Sequence, residues 1–257
     1  MKLFIRKYGS AGDALVILHG LFGSSDNWIT IGKRLAGTYT VFLLDQRNHG
    51  KSPHHPVMTY DSMSEDLYEF LTDYSIRQIH LIGHSMGGKT AMQFTIEYPH
   101  RVKSLVILDI SPKDYAITHD RIIDYLSTID PAKITTRKEA DQKLSQWIED
   151  KSLRQFLLKN LQLHEQSKFV WRINMPVIRK NLKQISSNPL SNKQYTGPVL
   201  FIRGEKSNYI ISDDFPRIKL YFPNCEIQAV AGASHWLHAE KPDAVYSMVH
   251  SFLKTVE

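Results

Sequence analysis

Short unbroken apolar runs recur along the chain, and each stops at glycine or a polar residue. Residues 14–18 stop at His19-Gly20, 41–44 at Asp45, 79–82 at Gly83, 105–108 at Asp109 and 199–202 at Arg203-Gly204. Runs of four or five residues rich in Val and Ile read as strands buried on both faces, the pattern of a parallel sheet. Amphipathic stretches lie between them. Residues 61–74 carry Met63, Leu67, Phe70 and Leu71 on one stripe, 86–98 form a second stretch closed by Pro99, and 241–253 align Val245, Met248, Val249 and Phe252. Alternating strands and helices predict an α/β fold with a mostly parallel central sheet flanked by helices. Residues 3–8 are expected to add an antiparallel edge strand, and 226–230 the last strand.

The alternation breaks after Ile110. From 112 to 197 the sequence is charged, with helical patches at 137–148 and 153–163 and no convincing strand run. The turn Tyr195-Thr196-Gly197-Pro198 then restarts the strand pattern. The reading is one core domain, 1–111 and 198–257, interrupted by a helical cap, 112–197. An insertion at the carboxyl end of a strand sits where parallel sheets bind ligands.

Gly83-His84-Ser85-Met86-Gly87 is a G-x-S-x-G pentapeptide between a predicted strand and a predicted helix. That context is what a nucleophile elbow requires: a tight turn lifts the serine oxygen above the sheet. The helix that follows aims its positive end at developing negative charge. Acyl transfer also needs two backbone N–H groups aimed at the oxyanion. One is expected from Met86. The other is expected from the loop His19-Gly20-Leu21-Phe22-Gly23, with Leu21 first and Phe22 second.

With these motifs the chain resembles the α/β-hydrolases, and within them the YbfF-type bacterial esterases. The resemblance rests on the two segments just quoted, on residues 45–52 (Asp-Gln-Arg-Asn-His-Gly-Lys-Ser), on Asp109-Ile110-Ser111-Pro112 and on Gly232-Ala233-Ser234-His235-Trp236. It covers most of the core and little of the cap. It implies an α/β-hydrolase fold and a Ser, acid, His order along the chain. His235, between the last strand and the last helix, is the base it implies, with His238 the alternative. Many α/β-hydrolases carry the acid as G-x-x-D after the cap; here Gly204-Glu205-Lys206-Ser207 puts Ser207 at that position. Asp109, at the end of the neighbouring strand, is therefore the favoured acid, with Ser207 as a second hydrogen-bond partner of the imidazole and Glu205 or Asp213 as alternatives. Phe22, His84 and Trp236 are read as lining the substrate pocket. Residues 45–52 read as a structural loop with local ion pairs, and Lys89 as a solvated helix position.

Composition narrows the field. The 257 residues, 42% hydrophobic and 23% charged, suffice for a packed core without disulfide staples. The one cysteine, Cys225, fits a reducing cytoplasmic setting. The apolar runs are far shorter than the ~20 residues of a membrane span. No clustered metal-ligand spacing or phosphate loop is present, and no cofactor is implied. Residues 151–193 hold nine Lys/Arg and one acid, Glu165, a local net of +8 against +6 for the chain. The nucleic-acid signatures that would match such a charge are missing. The stretch reads as a solvated surface or as an attractor for an anionic group such as coenzyme A. The expectation is a serine hydrolase of carboxylic esters or thioesters working through an acyl-serine. The alternatives are a C–C hydrolase or lyase on the same fold, and a binding protein with a vestigial triad.

Overall fold

The structure, a computed structural model, describes residues 1–164 and 168–256. Glu165, the acid of the basic stretch, lies outside the described residues. The sheet begins with β1 (Ile5–Tyr8) and β2 (Ala14–Leu18); α1 (Ile29–Leu35) then leads to β3 (Thr40–Leu44). Next come α2 (Tyr60–Asp73), β4 (Ile79–His84), α3 (Met86–Glu97) and β5 (Val102–Leu108). Beyond β5 the chain leaves the sheet through α4 (His119–Ser127), α5 (Arg137–Leu144), α6 (Lys151–Leu158), the hairpin β6 (Leu161–His164) and β7 (Lys168–Trp171), and α7 (Met175–Ser186). It returns as β8 (Val199–Gly204), α8 (Phe215–Tyr221), β9 (Cys225–Val230), α9 (Leu237–Glu240) and α10 (Pro242–Lys254).

The seven strands run in the order β1-β3-β2-β4-β5-β8-β9. Every pairing is parallel except the β1–β3 edge. The central strands need no polar alternation because helices cover both faces. Val16 and Leu18 of β2 pack with Leu67, Leu71 and Phe94 from α2 and α3. Leu15 and Ile17 face the other way, onto Ile31 and Leu35 of α1 and Val245 and Val249 of α10. The predicted fold class and sheet are present.

The segment between β5 and β8 differs from expectation in one respect. The stretch predicted as a helix over 153–163 stops at Leu158 and gives way to the hairpin β6–β7. Asn160 explains the stop: its side-chain amide donates to the Leu157 and Phe22 carbonyls, and its own carbonyl accepts from Arg172 N–H. The segment has its own apolar core, which includes Leu126, Leu144, Leu157 and Ile178 and is continuous with Leu21, Phe22, Tyr60 and Met86 beside the elbow. It is thus welded to the carboxyl edge of the sheet.

Candidate active site

β4 delivers Ser85 at its carboxyl end. Leu108 of β5 accepts from Ser85 N–H at 3.0 Å, which holds the turn against the next strand. Ser85 adopts φ 52°, ψ −120°. This turn leaves no room for side chains around it: a Cβ on Gly83 would lie 2.3 Å from the Gly87 carbonyl oxygen, and one on Gly87 2.5 Å from the Leu18 and His19 oxygens. Four of the five non-glycine residues in the left-handed region, among those described, are Phe22, Asn48, Ser85 and Asp109. Backbone strain is thus concentrated on the loops around one point, as at functional sites.

His235 Nε2 lies 3.1 Å from Ser85 Oγ, and Nδ1 lies 2.8 Å from Asp109 Oδ2. Asp109 is fully buried, and Gly204 N–H donates to its Oδ1 at 3.0 Å. Ser207 Oγ donates to Asp109 Oδ2 and accepts from Tyr209 N–H. The sequence reading put Ser207 on the imidazole; the structure puts it on the carboxylate, because β8 brings its hydroxyl beneath Asp109. Glu205 instead accepts from Gly232 N–H, and Asp213 is exposed. Neither faces His235. His238 is buried and stacks on Trp28 with ring centroids 4.5 Å apart. Burial and the neighbouring His235 push its pKa down to about 3.

The loop after β2 is held by a contact the sequence reading did not assign. Phe22 N–H donates to His49 Nε2 at 3.2 Å, while His49 Nδ1 lies 3.0 Å from the Arg47 carbonyl. Burial, reinforced by His19, lowers the His49 pKa to about 3, so the ring is neutral and its Nε2 is an acceptor. That engages the Phe22 amide. Among the described residues the Leu21 and Met86 amides donate to no protein acceptor. Residues 45–52 are not merely locally paired: Arg47 reaches Asp66 on α2 at 2.7 Å.

His84 donates through Nε2 to the His235 carbonyl at 2.9 Å and borders the cavity beside Ser85. Burial holds its pKa well below the ordinary range. Trp236 stands edge-on to His235 and packs on Phe156 of α6. Tyr209 stacks on the His235 ring at 3.8 Å, and His119 at the start of α4 borders the same cavity. Burial pushes His119 down to about 4. No motif marks either residue; both reach the site through chain crossings from other elements.

Three spaces meet here. A cleft of about 200 Å³ contains Ser85, His235, Phe22 and Trp236. Across Trp236 and Leu153 it adjoins a groove of about 600 Å³ that includes Lys151 and Lys159. On the other side of Ser85 lies a small chamber of about 30 Å³. Lys89, expected to be solvated, is buried at that chamber and donates to three backbone carbonyls. The basic stretch is also partly internal. Arg154 pairs with Asp141, and buried Arg172 lies against Asp26 and Asp45. Among the described residues, no cluster suited to hold a metal occurs and no helix is long and apolar enough to cross a membrane.

The α/β-hydrolase-fold family pattern matches residues 13–242. The chain belongs to that family. Within it, the chain falls in the esterase branch typified by YbfF. It is 36% identical to "Esterase YbfF" of Escherichia coli over 98% of this chain and 99% of that protein. It is 42% identical to the "sn-1-specific diacylglycerol lipase ABHD11" of Danio rerio, covering 96% of this chain and 81% of that one. Its structure superposes on a solved "Marine microorganism esterase" with a TM-score of 0.95 and 44% identity, covering 98% and 99% of the two chains.

Proposed function

We propose that the protein hydrolyses carboxylic esters through an acyl-serine intermediate. The observation that carries the reading is the continuous chain Ser85 Oγ, His235, Asp109 at 3.1 and 2.8 Å. In this reading His235 Nε2 takes the Ser85 proton as Oγ attacks the ester carbonyl. Asp109, buried and held by Gly204 N–H and Ser207, fixes the tautomer and stabilises the imidazolium. The Leu21 and Met86 amides receive the oxyanion, aided by the amino end of α3. Collapse of the tetrahedral species expels the alcohol, which takes the proton from His235. Water, deprotonated by His235, then attacks the acyl-serine, releasing the acid and restoring Ser85. Phe22, His84 and Trp236 border the cleft that would hold substrate. Residues 112–197 act as the cap over it.

A thioester such as acyl-CoA is a second substrate class. The feature favouring it is the groove beyond Trp236, where Lys151 and Lys159 are exposed while Asp150 caps α6 and Glu240 binds Ser234. An anionic leaving group would meet two cations there. The reaction needs no cofactor, and Cys225 fits a reducing, cytoplasmic setting. The test is Ser85→Ala. Ester turnover should fall by several powers of ten with the melting temperature nearly unchanged; turnover near wild type overturns the covalent mechanism.

A further inference from the structure

The two sides of Ser85 are unequal. The outer cleft and groove measure about 200 and 600 Å³, whereas the inner chamber measures about 30 Å³. Thirty cubic ångströms hold a water or a group of methyl size. The chamber is bounded by Met86, Ile110, Tyr115, Ile185 and Lys89.

Lys89 forms one wall of the chamber. It lies one turn along α3 from Ser85, whose carbonyl accepts from Lys89 N–H. Its ammonium donates to the carbonyls of Lys113 at 2.9 Å, Ser186 at 2.9 Å and Ser187 at 2.5 Å. Lys113 follows the exit from the sheet after β5, and Ser186 and Ser187 end α7 before the chain returns. One side chain therefore ties both connections of the inserted segment to the elbow helix. Its three donors are all used, so no N–H is left to receive a substrate carboxylate. Tyr115, 4.8 Å from the Nζ, covers the cation with its ring. Tyr60, also in the lining, donates to the Ile185 carbonyl at 2.6 Å.

We propose that Lys89 is the specificity-determining wall of the acyl pocket, keeping the inner chamber so small that it takes an acetyl-sized acyl group while the larger leaving group lies in the outer cleft. The proposal rests on the esterase reading and adds the substrate class. A hydrophobic pocket discriminates about tenfold or more per excess methylene.

The test is kcat/KM for p-nitrophenyl acetate, butyrate, hexanoate and octanoate with the wild type, Lys89→Met and Ile185→Ala. Ile185→Ala widens the chamber and leaves the Lys89 contacts in place, so the test survives if Lys89→Met folds poorly. The wild type should favour acetate over hexanoate at least tenfold. Both variants should raise the hexanoate-to-acetate ratio at least tenfold. Lys89→Met should also speed amide exchange around residues 113 and 186–187. Turnover by the wild type that favours octanoate, or a profile unmoved in the variants, overturns the acyl-pocket assignment alone. No turnover of any ester, together with no labelling of Ser85 by a phosphonate, overturns the esterase reading beneath it.

Discussion

The Ser207 hydroxyl donates to the Asp109 carboxylate, and the carboxylate, not the hydroxyl, meets His235 at 2.8 Å. The position where many relatives of this fold carry the acid thus holds a residue that orients an acid supplied by the neighbouring strand. The consequences for turnover differ. Asp109→Asn should cost about four powers of ten in kcat, the loss seen when the serine-protease triad loses its charge. The backbone should survive, because asparagine tolerates the positive φ of 49° at this position. Ser207→Ala removes one supporting hydrogen bond, about 0.5–1.5 kcal/mol, or roughly tenfold in rate. Glu205→Gln and Asp213→Asn should be near wild type. Steady-state kinetics on the four variants check the order, and a milder Asp109→Asn than Ser207→Ala contradicts it.

His49 sets the position of Phe22, and with it the adjoining Leu21 amide. His49→Leu should leave the Phe22 N–H without its acceptor, at a cost of about 1–3 kcal/mol. The loop would then present the Leu21 N–H less accurately. Since the oxyanion contact matters in the transition state, kcat should fall about tenfold or more while KM changes little. Kinetics with one ester, paired with a urea unfolding curve, separate this from a purely structural effect. An unchanged kcat in a destabilised variant would assign His49 to stability alone.

The strand runs and the elbow were readable because both follow from local chemistry. Strands buried on two faces must be unbroken and apolar, and a serine turn packed against β2 must have glycines at 83 and 87. Asp109 and Ser207 were readable as a pair, though not which atom bonds which. That depends on the register of β5 and β8. The hairpin β6–β7 was hidden because its strands have only four residues each and β6 leaves Leu163 exposed, which gives no sustained strand pattern. Lys89 was misread for a related reason. Its neighbours in sequence say nothing of the carbonyls at 113, 186 and 187.

Acid should destabilise the protein steeply. His49 and His238 are buried and neutral, each with a pKa near 3 against an ordinary 6.5. Below pH 6.5 the unfolded chain binds protons that the folded rings do not. Stability is therefore full above about pH 6.5 and falls as pH falls toward 3. Each ring contributes up to about 1.4 kcal/mol per pH unit. His238→Phe keeps an aromatic stack on Trp28 and removes one titrating site. Urea unfolding between pH 7 and pH 5 should show a shallower slope in the variant, by about one proton. Equal slopes would contradict the assignment.

Lys151 and Lys159 bear on the leaving group. If they meet an anionic group, hydrolysis of acetyl-CoA should weaken with salt more than that of p-nitrophenyl acetate, because exposed charges are screened. The double variant Lys151→Gln, Lys159→Gln should raise KM for the thioester and leave that of the neutral ester unchanged. Equal salt dependence of the two substrates would return these lysines to a solvated surface.

In the proposed mechanism Ser85 is a nucleophile activated by His235. Mass spectrometry of the protein after treatment with a fluorophosphonate probe tests it most directly. A single adduct is expected on the peptide carrying Ser85, lost in Ser85→Ala and strongly slowed in His235→Gln. An unlabelled Ser85 in the folded wild-type protein, or an adduct that persists in Ser85→Ala, would contradict it.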